Sequence, residues 1–199
     1  MNLSIFFDKQ GIFNIRENTI LRKISSAYKN EYLDYRTLQW DILRKDEKLW
    51  SFIREDLWSC VELSFSDTLY LAIVDKKNMF MGYATIGDLD SDYPVLGLEL
   101  KSEYWRQGHG KETVDMLLET CFKVLNTSKF IVRINSDNTA SLALFSKYNI
   151  KEIAQEDSEY MQALAILNEG KKEQEKTVVL KEYYEKMNGR YIRRFLLCI

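Results

Sequence analysis

This chain has one histidine, three cysteines and little excess of charge of either sign. Its three cysteines, Cys60, Cys121 and Cys198, show no paired or metal-like spacing, and an odd number argues against a disulfide framework. They read as reduced, mostly buried thiols, and no metal site is expected. A net charge of -2 gives no global basic field, so nucleic acid is not an expected partner, while a cationic amine is compatible with it. No apolar run approaches the roughly 18 residues of a membrane span, and the N-terminus lacks a basic region followed by an apolar signal core. The expected location is therefore the cytoplasm, with no membrane partner. Low-complexity linkers and internal repeats are also missing. What is present, 46% hydrophobic and 29% charged residues in 199, suits one globular domain over residues 1–199 with a sizeable core.

The hydrophobic pattern alternates between helical and strand periods. Ile5-Phe6-Phe7 and Ile12-Phe13 flank Asp8-Lys9-Gln10-Gly11, which reads as a small hairpin within an N-terminal extension over residues 1–18. Thr19 to Ile24 is the first strand of the main sheet. From Tyr28 to Trp58 apolar residues recur at helical intervals, among them Tyr32, Tyr35, Trp40, Leu43, Leu49 and Ile53, and predict two helices. Leu69 to Val74 and Met79 to Ile86 read as strands joined by the turn Asp75-Lys76-Lys77-Asn78. Strands are also expected at Pro94 to Leu100, at Lys129 to Ile134, near Lys151 and at Arg190 to Ile199, with a helix at Lys111 to Leu125. The order is mixed α/β. Residues 157–188 are charged and helical and read as an insertion, either a solvated decoration or homodimer contact, or a lid.

Between the Pro94 strand and the Lys111 helix lies Trp105-Arg106-Gln107-Gly108-His109-Gly110-Lys111. A glycine turn that opens a helix binds anions, because the first helical N–H groups are unpaired and the dipole is positive there. A nucleotide P-loop needs two glycines separated by four residues and then Lys-Ser/Thr, whereas here one residue separates Gly108 from Gly110 and Glu112 follows Lys111. A dinucleotide fingerprint needs a third glycine where this chain has Thr113. The spacing instead resembles the pyrophosphate loop of the GNAT superfamily of acyl-CoA N-acyltransferases, Gln/Arg-x-x-Gly-x-Gly/Ala. Trp105 departs from the first position, as in the branch of ribosomal-protein-alanine and polyamine acetyltransferases, where an aromatic often stands there.

A second segment, Asn135-Ser136-Asp137-Asn138-Thr139-Ala140-Ser141 through Phe145, Lys147, Tyr148, Asn149 and Ile150, is similar to the family's Asn-x-x-Ser/Ala, hydrophobic, Lys-x-Gly-Phe stretch. Asn149-Ile150 stands for Gly-Phe, and asparagine tolerates the left-handed conformation of a helix end. The resemblance, over roughly Ile20 to Gln155, implies a GNAT fold: a mostly antiparallel central sheet, splayed at the acyl-CoA site and flanked by helices. It implies acetyl-CoA as cofactor. Leu98, Glu99 and Leu100 would lie along the pantetheine and thioester, with a freed strand N–H polarising the thioester carbonyl. Asn138 would face the pantetheine, and the helix of Ser141 and Phe145 would flank it, with Asp137 or Ser136 as its cap. Arg106 and Lys111 are the cations beside phosphate. Gln107, Gly108 and Gly110 shape the loop, Trp105 packs it on the sheet, and His109 reads as a solvent-facing loop side chain.

Acyl transfer to an amine requires a neutral amine, an oxyanion donor and a proton for the leaving thiolate. The candidate bases are Glu99 and Asp92, the latter thirteen residues before Trp105, where some relatives carry a catalytic glutamate. Water or an already neutral amine is the alternative. Relatives often place a tyrosine acid where this chain has Phe145; Tyr148, three positions on, is the candidate replacement. The expected function is N-acetyl transfer from acetyl-CoA to a primary amine, a small molecule or a protein N-terminus, by direct attack in a ternary complex. A catalytically weak acyl-CoA sensor and an anion-binding interaction domain are the rival readings.

Overall fold

The computed structural model describes residues 3–37, 47–62, 67–157 and 191–199, and the chain forms two compact units, Met1–Phe130 with Ile199, and Ile131–Cys198. In the first unit, strands β1 (Ile12–Ile15), β2 (Ile20–Lys23), β3 (Leu69–Val74), β4 (Phe80–Gly87) and β5 (Val95–Leu100) lie side by side in chain order, every neighbour antiparallel. Leu71, Ala72, Ile73 and Val74 of β3 are fully buried in succession, so both of its faces are covered. The β3–β4 turn closes as its sequence directs: Asp75 Oδ1 accepts the N–H groups of Lys77 and Met79, and Asn78 takes φ 64°.

Helices α1 (Lys29–Arg36) and α2 (Glu47–Glu62) are the two expected from the Tyr28 to Trp58 periodicity, α1 preceded by a 3₁₀ turn at Ser26–Tyr28. Trp40 and Leu43 fall outside the described residues. Tyr32 and Leu33 of α1 and Trp58 and Val61 of α2 pack on Ala72, Val74, Phe80 and Tyr83 of the sheet. Helix α3 (His109–Leu125) buries Val114, Met116, Leu117 and Cys121 and contacts β1 and β5. It ends on Asn126 in the left-handed region, whose N–H bonds to the Phe122 carbonyl.

The N-terminal hairpin forms differently from its expected pairing. Leu3–Phe6 is a 3₁₀ turn, and Phe6 stacks on Phe13 at 6.1 Å, so its apolar surface is buried by ring contact instead of strand alternation. Asp8 Oδ1 accepts the N–H groups of Gln10 and Ile12, which folds the Asp8 to Gly11 segment into a turn that leads into β1. The hairpin partner of β1 is β2.

The second unit contains α4 (Thr139–Phe145) and the hydrogen-bonded strand order β6 (Lys129–Asn135), β8 (Tyr191–Cys198), β7 (Asn149–Asp157), with β6 starting at the end of the first unit. Strands β7 and β8 are antiparallel. Asn149 opens β7 as its first extended residue, paired with Cys198, so it does not take the expected left-handed turn. The proposed insertion at 157–188 lies outside the described residues apart from Asp157 at the end of β7. Among the described residues no helix is long and apolar enough to cross a membrane. Cys121 is buried and burial pushes its thiol up to about 12, while Cys60 and Cys198 are free and half-buried.

The end of β5 that leads to the glycine turn is drawn tightly onto β4. Gly82 faces Leu100, and a Cβ there would press into the Glu99 carbonyl oxygen and lie 2.9 Å from Leu100 Cα. Backbone cannot yield as a flexible side chain does. Gly82→Ala should therefore lose about 1–3 kcal/mol, the usual cost of overpacking, a fall of roughly 3–10 °C in melting temperature. Unchanged thermal unfolding would show that β5 is not held this closely.

Candidate active site

Where β5 ends, a 3₁₀ turn at Ser102–Tyr104 leads into the glycine turn. Arg106 takes φ 59° and Gly108 φ 93°, two left-handed residues that reverse the chain into α3. For arginine this conformation costs about 1–2 kcal/mol, and for glycine almost nothing. Helix α3 begins at His109, two residues earlier than its hydrophobic period indicated, so Gly110 is helical and only Gly108 serves the reversal. Gly108 is the N-cap and supplies no side-chain acceptor, and the first helical bond runs from the Glu112 N–H to the Gly108 carbonyl. The N–H groups of His109, Gly110 and Lys111 therefore have no helical acceptor. A Cβ on Gly108 would meet nothing within 4 Å, so this rim opens outward. The turn has the form of an anion cradle, and the pyrophosphate of an acyl-CoA fits the residues present.

Side chains hold the cradle rather than fill it. Trp105 is 54% exposed, so its ring does not pack the turn on the sheet; its indole N–H donates to the Leu100 carbonyl at 2.7 Å. Gln107 donates to the Glu103 carbonyl at 2.6 Å. Lys111 pairs with Asp115 one turn along α3, at 2.6 Å, and Arg106 is exposed. His109 departs most from expectation: it is 8% exposed, with Nδ1 2.9 Å from Thr19 Oγ1. Thr19 donates to Glu112 Oε2 at 2.5 Å, so its oxygen is left to accept from a protonated His109 Nδ1. Glu112 Oε2 also accepts the Asn18 N–H. This chain of bonds ties the start of β2 to the first turn of α3. Sequence reading missed Thr19 and Glu112, and no local signal could join residues so far apart in the chain.

The other chemical group on this strand is Glu99. It faces Tyr83 across the β4–β5 ladder, and the Tyr83 hydroxyl donates to Glu99 Oε1 at 2.5 Å. Arg36, the last residue of α1, brings a guanidinium nitrogen to 3.9 Å from the same oxygen. Tyr83 is buried against Tyr32, ring centroids 5.1 Å apart, and Tyr35, at 6.4 Å. Burial first, then the charge and hydrogen bond of Glu99, push the Tyr83 hydroxyl far above its ordinary pKa. Burial pushes Tyr32 and Tyr35 up to about 12, the charge of Glu99 adding to both. All three phenols are thus neutral donors through the physiological range. Tyr35 donates to the Leu100 carbonyl at 2.7 Å, which with the Trp105 indole fills both lone pairs of that oxygen. Leu98 pairs with Ala84, and by alternation Leu98 and Leu100 face away from Glu99.

Asp92 is not brought to this place. It precedes β5, in a surface recess shared with Leu89, Pro94, Leu125, Asn126 and Thr127, beside the C-terminal end of α3. The six residues of β5, about 20 Å of strand, separate it from the turn, and so do the seventeen of α3, about 25 Å of helix. In the second unit, Asn138 is itself the N-cap of α4, its Oδ1 accepting the Ser141 N–H at 3.0 Å, where Asp137 or Ser136 was expected. Phe145 is buried at 4% exposure as the last residue of α4. Tyr148 lies beyond the helix end, its N–H on the Phe145 carbonyl and its ring 6.2 Å from that of Phe145.

The model of one family, the acetyltransferase (GNAT) domain, matches residues 19–151. The chain belongs to this family and is an acetyl-CoA-dependent N-acetyltransferase. No curated protein matches it in sequence. Among solved structures it is similar to spermidine N-acetyltransferase from Vibrio cholerae in complex with CoA and spermine, at 12% identity and TM-score 0.61, over 90% of this chain and 95% of that one. It is similar to RimL, the ribosomal L7/L12 alpha-N-protein acetyltransferase, at 12% identity and TM-score 0.61, over 94% of each chain. A third, Mycobacterium smegmatis RimJ in complex with CoA-disulfide, matches at 16% identity and TM-score 0.57, over 91% of this chain and 81% of that one. At such identities the likeness is one of fold.

Two outcomes follow from this geometry. Gly108→Val places a branched side chain at φ 93° and into the open rim, and should weaken acetyl-CoA binding at least about tenfold, about 1.4 kcal/mol. Calorimetry on the folded variant checks it, and an unchanged dissociation constant would remove the turn from the site. Asn138→Ala removes a helix cap and should cost about 1 kcal/mol of stability, about 2–4 °C in melting temperature. An unaltered melting curve would show that the Asn138 to Ser141 bond contributes nothing.

Proposed function

We propose that this enzyme transfers the acetyl group of acetyl-CoA to a primary amine by direct attack within one ternary complex, with Glu99 as the base. The observation that carries this reading is the order along the chain: β5 bears the Glu99 carboxylate and leads, through the turn that ends at Gly108, into the uncapped first turn of α3. When bound, acetyl-CoA supplies a thioester carbon that gains a bond to nitrogen as its bond to sulfur breaks, the sulfur leaving as thiolate. The N–H groups of His109, Gly110 and Lys111 hold the phosphates, and Arg106 and Lys111 add positive charge beside them. A Glu99 carboxylate oxygen takes the proton that the ammonium form of the acceptor must lose.

Proton delivery to the thiolate is the weaker requirement, since a thiol has an ordinary pKa near 8.5. Phe145 offers no hydroxyl to serve as the acid. The missing hydroxyl at Phe145 also gives substance to a second reading, an acyl-CoA sensor with little turnover. The acceptor is proposed as a small amine or a protein N-terminus, because the named relatives act on spermidine or on a ribosomal protein.

Free thiol release measured over a panel of amines, including spermidine and peptides with free N-termini, tests the proposal. At least one amine should be turned over, and Glu99→Gln should lower kcat by roughly 100-fold or more while leaving the acetyl-CoA dissociation constant in place. Coenzyme A bound tightly with no amine turned over would favour the sensor.

A further inference from the structure

Glu99 is a flexible carboxylate on a half-open surface, its side chain 47% exposed, and packing alone does not aim it. One hydrogen bond does. Tyr83 places its hydroxyl 2.5 Å from Oε1, and Tyr83 has little freedom of its own. It is 6% exposed, stands directly across the ladder from Glu99, and is met edge-on by Tyr32 and Tyr35. Arg36 approaches the same oxygen at 3.9 Å, a distance that gives charge attraction without a hydrogen bond. Both neighbours lie on Oε1, so Oε2 is the atom left to meet an amine.

We propose that Tyr83 is a positioning residue for the reaction: its hydroxyl fixes Oε1 of Glu99 and so presents Oε2 as the base. This rests on the assignment of Glu99 as base. The charged and titratable groups around the pair are Arg36, Tyr32 and Tyr35 on α1 and Glu103 in the turn after β5. Tyr70 on β3 and Cys60 on α2 flank Tyr32 behind them. Raised by burial, the tyrosine hydroxyls stay protonated at neutral pH, so Tyr83 donates and never competes for the proton.

Tyr83→Phe keeps the ring and its contacts with Tyr32 and Tyr35, so it should fold with a near-native melting curve. Its kcat should fall about tenfold or more, while the KM for the amine and the acetyl-CoA affinity stay in place. Carbon-13 relaxation of the Glu99 side chain by NMR reads its loosened orientation without turnover. A lower kcat with the Glu99 side chain as ordered as in the native enzyme would mean a merely structural role, and would overturn the proposal. So would full activity in Tyr83→Phe when Glu99→Gln is inactive, an outcome that leaves Glu99 as the base. Activity retained in Glu99→Gln, or no amine turned over by the native enzyme, would instead remove the base assignment and the proposal with it.

Discussion

The site depends on one backbone reversal. At Gly108 the chain takes φ 93°, and α3 starts at the next residue with no side chain capping it. An N-terminal helical turn without a cap carries three or four N–H groups that need an acceptor, together with the positive end of the helix dipole. A capping Ser, Thr, Asp or Asn at this position would satisfy part of that demand internally, and Ser or Thr would also resist the left-handed conformation. Glycine does neither. The polar deficit is left for a ligand, and an anion answers both the hydrogen bonding and the field.

The rest of the structure keeps this turn in register with β5. Two donors from different elements, the Trp105 indole and the Tyr35 hydroxyl, converge on the Leu100 carbonyl where strand becomes turn. The Lys101 N–H bonds to the Met81 carbonyl at the same level. On the helix side, Glu112, Thr19 and His109 tie the first turn of α3 to the edge of β2. These bonds are individually modest, about 1 kcal/mol each net, but they constrain the same few residues. The consequence is a loop that is exposed yet fixed at both ends, the condition for binding a phosphate without first ordering the protein.

What could be read in the sequence follows from the range of the interaction concerned. The strands from Thr19 to Leu100, the two helices before β3, and the turn at Gly108 are local patterns, and all three stand. Gly108 and Gly110 look alike in a string, but only the one before the helix takes positive φ, and Gly110 lies within α3. Asn138 sits in a run of four cap-capable residues, Asn135 to Asn138, and composition alone could not say which would cap α4. His109 looked solvent-facing because its partner, Thr19, comes from β2's leading edge, far off in sequence. The Tyr83–Glu99 pair needs the strand register: both residues are visible, but only the ladder puts them opposite each other. Tyr35, visible in the sequence only as part of an apolar helical period, carries a hydroxyl that bonds the Leu100 carbonyl.

The central claim is that the open first turn of α3 receives the phosphates of acetyl-CoA. Backbone amide resonances report on it residue by residue. Titrating the nitrogen-15-labelled native protein with coenzyme A should shift the His109, Gly110 and Lys111 amides most strongly and downfield in the proton dimension, as their N–H groups gain charged acceptors. Binding that leaves these three amides unmoved while shifting others would contradict the account.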